Sequence, residues 1–266
     1  MTIRLATVFI MIAFVSACST APVARAPEND LGLLWVKYAA EYKSIATQVY
    51  KQAELALPDF VANKGWSALP WQHDVEHLPP AIIFDVDETV VSNVDFQLTF
   101  ERPFDNWKLD HWTRSRPSDP IPGFADFALA AREAGVALFF VTNRPCETVD
   151  GIVDPCPQEK STLDDIIEAG IETDRDHVML AYEREDWGKE KLVRRRHIAK
   201  THRVIMLVGD DLGDFIPCVR EKPAGPCSEA ATAASRERLR QKHAKYWGHG
   251  WYILPNPMHG SWTTVL

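Results

Sequence analysis

The sequence predicts an α/β protein whose parallel sheet carries helices on both faces. Three observations predict it. The runs "AIIFDVD", "VALFFVTN" and "VIMLVGDD" are unbroken apolar stretches of strand length, the pattern of strands buried on both sides. Helical stretches separate them, as crossover connections in a parallel sheet require. Each run also ends in polar residues: Asp85 and Asp87, then Thr142 and Asn143, then Asp210 and Asp211. Ligands of open parallel sheets sit beyond the carboxyl ends of the strands, so these three ends define a candidate site.

The elements follow in order. Residues 1–17 carry one Arg near the start and an apolar run from Leu5 to Val15. That run is too short to span a bilayer and reads as the core of a secretory signal. "VSAC", residues 15–18, resembles a bacterial lipobox, which makes Cys18 the lipid-bearing first residue of the mature chain. Ser19 rather than Asp follows it, which implies an outer-membrane lipoprotein. Residues 18–30 form an Ala/Pro-rich tether. Residues 31–266 read as a single domain with an N-terminal helical segment, 31–78, and a core, 79–266. In the helical segment, Asn29 or Asp30 caps a helix. Leu34, Tyr38, Tyr42, Ile45, Val49 and Ala53 continue it at helical spacing, and Pro58 ends it. A Trp-rich insertion occupies about 96–120. The helix "FADFALAAREAG" stops at Gly135, and "STLDDIIEAG" reads as a helix with a capping-box start and a Gly stop. "HVML" is a short strand, "KEKLVRRRHIAK" a basic helix, and a polar helix around "EAATAASRERLRQKHAKYW" leads to "WYILPNP".

Composition narrows the function. A chain of 266 residues with 46% hydrophobic and 25% charged residues buries one good-sized core. With 29 basic against 37 acidic residues it is no general nucleic-acid binder, and any phosphate site must be local. Cys146, Cys156, Cys218 and Cys227 are an even set, which in an exported protein reads as disulfides; closeness in the chain pairs Cys146 with Cys156 and Cys218 with Cys227. Zinc is the rival, but there is no CxxC and no His at ligand spacing.

Two carboxylates at one strand end, joined by Asp210 from another, are tolerable around a hard cation, and an all-oxygen donor set suits Mg2+. The cation attracts a phosphate, for which Thr142 offers a hydroxyl and the basic helix a Lys. One aspartate can then attack phosphorus while the second moves protons.

"DVDET", "FVTNR", a Lys in the basic helix and "GDDLGDF" resemble, in order from about 81 to 215, the four motifs of haloacid-dehalogenase (HAD) superfamily phosphatases. More narrowly, "FDVDETVVSN", "PIPG", "VTNR", "STLDDI", "VGDDLGDF" and "LPNPMHGSW" resemble the class C acid phosphatases, bacterial outer-membrane lipoprotein enzymes of which some are 5′-nucleotidases. The resemblance implies a Rossmann-like sheet with a small, partly helical cap. It implies Asp85 as nucleophile and Mg2+ ligand, and Asp87 as acid/base whose main-chain carbonyl also reaches the metal. Asp210 and Asp214 become metal-site residues, and Thr142, Asn143 and Lys191 bind the substrate's phosphoryl end. Lys191 is preferred to Lys189 because "KLVRRRHI" matches the register of the family's helix. Trp112 and His259 fall near the positions that stack on a base. The sequence departs from the pattern in the Cys146–Cys156 loop and at His259, where members often carry Tyr. Asp95, Asp105 and Asp110 read as solvated loop residues, Arg194, Arg195 and Arg196 as a solvated helix face, and Arg144 as a residue ordering the loop above Thr142.

The resulting expectation is a Mg2+-dependent acid phosphatase for phosphomonoesters, with nucleoside 5′-monophosphates first, held to a membrane through Cys18 and without a nucleic-acid polymer as partner. Its alternatives are a broad sugar or aryl phosphatase without base preference, and a surface lipoprotein that captures a ligand such as haem. The intact four-motif set argues against the last.

Overall fold

The structure is a computed structural model that describes residues 30–100, 105–115 and 118–266. The signal segment, Cys18 and all of the tether before Asp30 lie outside the described residues.

Two helices open the described chain, α1 (Asp30–Tyr38) and α2 (Ala40–Ala62). They are separated at Ala39, whose backbone is extended. The break resets the helical register, so the buried stripe of α2 is Tyr42, Ala46, Tyr50, Ala53, Leu57 and Phe60, while Tyr38 and Ile45 from the expected stripe are exposed. Pro58 does not end the helix. It faces solvent, where water can satisfy the carbonyl it frees, while Leu57 and Phe60 hold the last turn on the core. The buried Arg203 guanidinium also donates to the carbonyls of Phe60, Val61, Asn63 and Trp66, satisfying a helix end that would otherwise be orphaned.

The core then alternates: β1 (Pro80–Phe84), the short β2 (Val91–Ser92), α3 (Val94–Thr99), α4 (Asn106–Ser115), β3 (Asp119–Pro120), α5 (Phe124–Glu133), β4 (Ala137–Pro145), α6 (Pro157–Glu168), β5 (Val178–Ala181), α7 (Leu192–Ile198), β6 (Arg203–Gly209), α8 (Ala233–Lys242) and β7 (Trp251–Ile253). The main sheet has the order β5-β4-β1-β6-β7, and every pairing in it is parallel. This is the α/β architecture the apolar runs predict. Alternation along β1 sends Ile82 and Phe84 into one core, with Phe124, Phe127 and Tyr50. Ala81 and Ile83 enter the other, with Phe139, Leu207 and Trp251. With both faces covered, neither can be polar, and all seven residues of β6 are buried.

One helix start differs from expectation. α6 begins at Pro157, directly after Cys156, because proline is well placed in the first turn of a helix. Ser161 is therefore inside the helix, not its cap. The insertion between β1 and α5 is pinched at its base by the antiparallel β2–β3 pair, Val91 opposite Pro120 and Ser92 opposite Asp119. It carries α3 and α4, the latter packed on α6.

Candidate active site

β1 lies between β4 and β6, so the three polar strand ends are neighbours. The Asp85 main-chain N–H continues the ladder to the Val208 carbonyl at 2.9 Å. Asp85, Asp210 and Asp214 each bring a carboxylate oxygen within 4.8 Å of the others. Lys191, at the start of α7 and only 4% exposed, sits among them: its Nζ donates to Asp85 and lies 2.7 Å from Asp214. Asp214 is held from behind by the main-chain N–H groups of Asp210 (3.1 Å) and Asp211 (2.9 Å). This return of the chain requires glycine at 209, where a Cβ would lie 2.6 Å from the Asp214 carboxyl carbon.

The electrostatics of this cluster are those of too many negative charges. Burial first, then Asp214 and Asp87, push Asp85 up to about 7 even though Lys191 opposes them. Burial and the neighbouring carboxylates also raise Asp210 well above the ordinary carboxylate range. Burial works against the Lys191 ammonium, yet Asp214 and Asp85 outweigh it and raise its pKa. One ammonium does not neutralise three clustered carboxylates, two of them buried, and a hard divalent cation would.

Asp87 has the opposite surroundings. Burial alone would raise its pKa, but Arg144, Asn93 and His259 hold it below the ordinary value. Its Oδ1 accepts from Asn93 Nδ2 at 2.7 Å and from Arg144 at 2.8 and 3.0 Å. Its Oδ2 is 3.3 Å from the Thr142 hydroxyl. Arg144 in turn reaches Asp165 at 2.6 Å.

A cavity of about 450 Å³ opens over these groups, and Asn143, Arg220, Met258 and His259, with Phe100 and Leu109 from the insertion, also line it. His259 Nε2 is 3.5 Å from the buried Glu88 carboxylate. Burial disfavours the charged ring, but Glu88 outweighs it and the His259 pKa is raised.

The profile of the HAD superfamily, subfamily IIIB (acid phosphatase), matches residues 15–262. The chain belongs to that family. It is also similar to the class C acid phosphatase from Bacillus anthracis, at 25% identity and a TM-score of 0.68 over 87% of this chain and 85% of that one. The same coverage and identity, with a TM-score of 0.69, hold for the structure of that class C acid phosphatase with tungstate bound. This acid phosphatase is thus a phosphomonoesterase by family, and its strand-end acidic cluster is the kind of site at which HAD phosphatases hold a divalent metal.

Asp85, Asp87, Asp210, Asp214 and Lys191 are brought together as the sequence predicts, and Asn143 and His259 are on the cavity wall. Two positions differ. Trp112 is not on that wall; its ring lies 6.0 Å from Phe96 within the insertion, so Phe100 takes the place at the cavity expected of it. The Thr142 hydroxyl is fully buried, with Asp87 and the Arg144 main-chain N–H as its partners.

Several residues read as solvated serve the site instead. Arg194 donates to the carbonyls of Thr142, Met179 and Gly188 and to the Asn143 side chain. Arg195 donates to the carbonyls of Gly213 and Asp214. These carbonyls lie in β4, in β5, in the loop before α7 and in the turn after β6, and a guanidinium has donors enough to satisfy several at once. Arg196 alone of the three is exposed. A signal was present: with Lys191 facing the site, positions 194, 195 and 198 must share its helical face. Asp110 is buried on α4, paired with Arg114 at 2.8 Å and accepting from Ser161, because α4 packs on α6. Asp105 is exposed, as the sequence predicts, and accepts from the Trp107 N–H at the start of α4, while Asp95 pairs with Lys37 at 2.7 Å away from the site. Asp211 is committed to Gly213 and Ser261. Asn256, unremarked in the sequence, donates to Asp210 at 2.7 Å. The cysteines are paired Cys146–Cys156 and Cys218–Cys227, as closeness predicts.

Proposed function

We propose that this acid phosphatase is Mg2+-dependent and works through a phosphorylated Asp85, with nucleoside 5′-monophosphates as its preferred substrates. The observation that carries the reading is the set of three carboxylates within 4.8 Å around one buried lysine. Their donors are all oxygen, and the raised pKa values of Asp85 and Asp210 mark a place where negative charge is under-compensated, which fits Mg2+. Asp85 and Asp210 would hold the ion directly, with Asp214 behind them and the Asp87 carbonyl beside them. When bound, Mg2+ supplies positive charge against the phosphoryl oxygens. Lys191 offers its ammonium to the same oxygens and releases Asp85 to attack. Asp87 donates a proton to the leaving oxygen and later accepts one from water. Tungstate, bound in the similar Bacillus anthracis structure, is a tetrahedral oxyanion like phosphate, which supports an oxyanion of that shape as the ligand.

Nucleotide preference rests on Phe100 and His259, two rings among the residues that line the cavity, since stacking on a base contributes roughly 1–3 kcal/mol in single-stranded nucleic acids. A broad sugar or aryl phosphatase is the second reading, favoured by the position of Trp112 off the wall. A panel of phosphomonoesters, run with and without chelator, separates them. Higher kcat/KM for nucleoside 5′-monophosphates supports the first reading, and equal values across sugar and aryl phosphates overturn it. Turnover unaffected by chelator would overturn the metal. An acid-quenched digest should carry a phosphate-mass adduct on the Asp85 peptide.

The reading also places the enzyme outside the cytoplasmic membrane on an acyl anchor at Cys18, supported by the lipobox-like "VSAC". Cys18→Ser protein should be left unprocessed or soluble. Wild-type protein in the aqueous phase of a detergent partition would contradict the anchor.

A further inference from the structure

Arg144 is 7% exposed and stands between two carboxylates, 2.8 Å from Asp87 and 2.6 Å from Asp165. Asp165, on α6, is 2% exposed and lines no part of the catalytic cavity. Burying a carboxylate there is costly unless it is paired, and its partner is the guanidinium that grips Asp87. Arg144 Nη1 also reaches the Thr162 hydroxyl, while Nε and Nη2 go to Asp87. Four of its five N–H groups are therefore committed, which leaves no two-pronged fork for a phosphate.

The two oxygens of Asp87 are treated differently. Oδ1 takes the three shortest donors, from Asn93 at 2.7 Å and Arg144 at 2.8 and 3.0 Å. Oδ2 receives only the longer contacts, Arg144 Nε at 3.2 Å and Thr142 at 3.3 Å. We propose that Arg144, anchored by Asp165, is a positioning residue that locks Asp87 Oδ1 in place and leaves Oδ2 as the oxygen that carries the proton. The inference rests on Asp87 being the acid/base. In the first half-reaction the Oδ2–H proton passes to the ester oxygen as its bond to phosphorus breaks and the Asp85–phosphorus bond forms, so the alcohol leaves neutral. In the second, Oδ2 takes a proton from water as water's oxygen bonds to phosphorus and the Asp85–phosphorus bond breaks, restoring both aspartates and releasing phosphate.

The Cys146–Cys156 bridge supports this geometry, because it ties the chain two residues after Arg144 to the residue before α6, which carries Asp165.

The test is the dependence of kcat/KM on leaving group, measured with aryl phosphates of graded leaving-group acidity and an alkyl phosphate. Poor leaving groups need the acid and good ones do not. Asp87→Asn is the reference: it should lose about 10²-fold or more on the alkyl phosphate and little on the most acidic phenol. Arg144→Gln should steepen the dependence in the same way, by about 10- to 100-fold on the alkyl phosphate and less than about threefold on the best leaving group. Asp165→Asn should do so more weakly. If Arg144→Gln does not fold, Arg144→Lys keeps a cation between the carboxylates without the side-on grip and should still steepen it. Equal losses on every substrate, or none, in the Arg144 variants would overturn the proposal while Asp87→Asn behaved as stated. A flat dependence in Asp87→Asn itself would instead remove the acid/base reading on which it stands.

Discussion

Asp85 and Asp87 are the same residue type with one residue between them, yet they sit in opposite electrostatic regions. On the β6 side, Asp85 shares one lysine with Asp210 and Asp214 and is pushed up to about 7. On the β4 side, Asp87 has a guanidinium, an amide and a hydroxyl on its two oxygens and is held below the ordinary value. Side chains at alternate strand positions share a face, but the strand ends after Phe84, and from there each carboxylate takes its character from whichever neighbouring element it meets. The lesson is that the acid-rich side is built to receive a cation and the arginine-rich side is already complete without one.

That contrast can be broken or sharpened by substitution. If Asp85 is phosphorylated as proposed, Asp85→Asn should cause the largest loss, about 10⁴-fold or more in kcat, because an amide is no substitute for an attacking carboxylate. Circular dichroism should show an unchanged fold, and residual turnover above that level would show that Asp85 does not attack.

Lys191→Met should come next, lowering kcat about 10²- to 10³-fold through the lost charge on the phosphoryl oxygens. It should also destabilise the chelated protein by about 3–5 kcal/mol, since it leaves Asp85 and Asp214 buried without their cation. Added Mg2+ should recover part of that stability but not the rate. Chemical denaturation with and without the ion separates the two effects.

Asp210→Asn should sharpen the comparison. In chelator it removes one under-compensated carboxylate and should raise Tm by a few degrees, with about 1 kcal/mol moving a chain of this size by about 2–4 °C. It should also abolish stabilisation by Mg2+. The pH dependence follows from the direction of the shifts. A carboxyl raised in the fold costs nothing below its unfolded pKa of about 4. Its cost then grows as pH rises through about 7, where Asp85 ionises. Chelated wild type should therefore lose stability from pH 4 to pH 7, and Asp210→Asn should lose less. Asp87 and Asp211, both lowered, act in the other direction: their contribution is present above about pH 4 and fades as pH falls through their folded values. A thermal scan across pH that found chelated wild type most stable at neutral pH would contradict the first half of this account.

Removing the Cys146–Cys156 bridge by a double serine substitution should cost roughly 2–3 kcal/mol. If the bridge holds Arg144 and Asp165 in register, turnover of alkyl phosphates should also fall more than that of activated aryl phosphates. Losing Cys218–Cys227 should cost stability without that selectivity.

The smallest expected effect is at the rim. His259→Ala should reduce kcat/KM for nucleoside monophosphates by about tenfold, within the range of a single stacking contact, and hardly alter a small aryl phosphate. Equal losses on both would assign His259, through Glu88, to the nucleophile loop instead.

The sequence by itself determined the sheet, because strands buried on both faces must be apolar throughout and their ends are where that requirement stops. Asp85, Asp87 and Asp210 were legible for the same reason: a charge that closes an apolar run has no bland structural use. The glycines that stop α5 and α6 and the cysteine pairs were equally local in origin, though the α6 start was misread through a capping-box pattern inside the helix. Tertiary structure alone decided what each polar group faces. "RRR" in α7 is one composition but two fates, since Arg194 and Arg195 meet buried main-chain carbonyls and Arg196 meets water. Arg203 opens β6, and only the fold brings the end of α2 under its guanidinium. Trp112 and Phe100 are both aromatics of the insertion, and the packing of α3 and α4 selects which one reaches the cavity. Burial follows from hydrophobicity, which each residue carries with it. A hydrogen-bond partner or a counter-charge belongs to a pair, and the second member of the pair is supplied by a distant part of the chain.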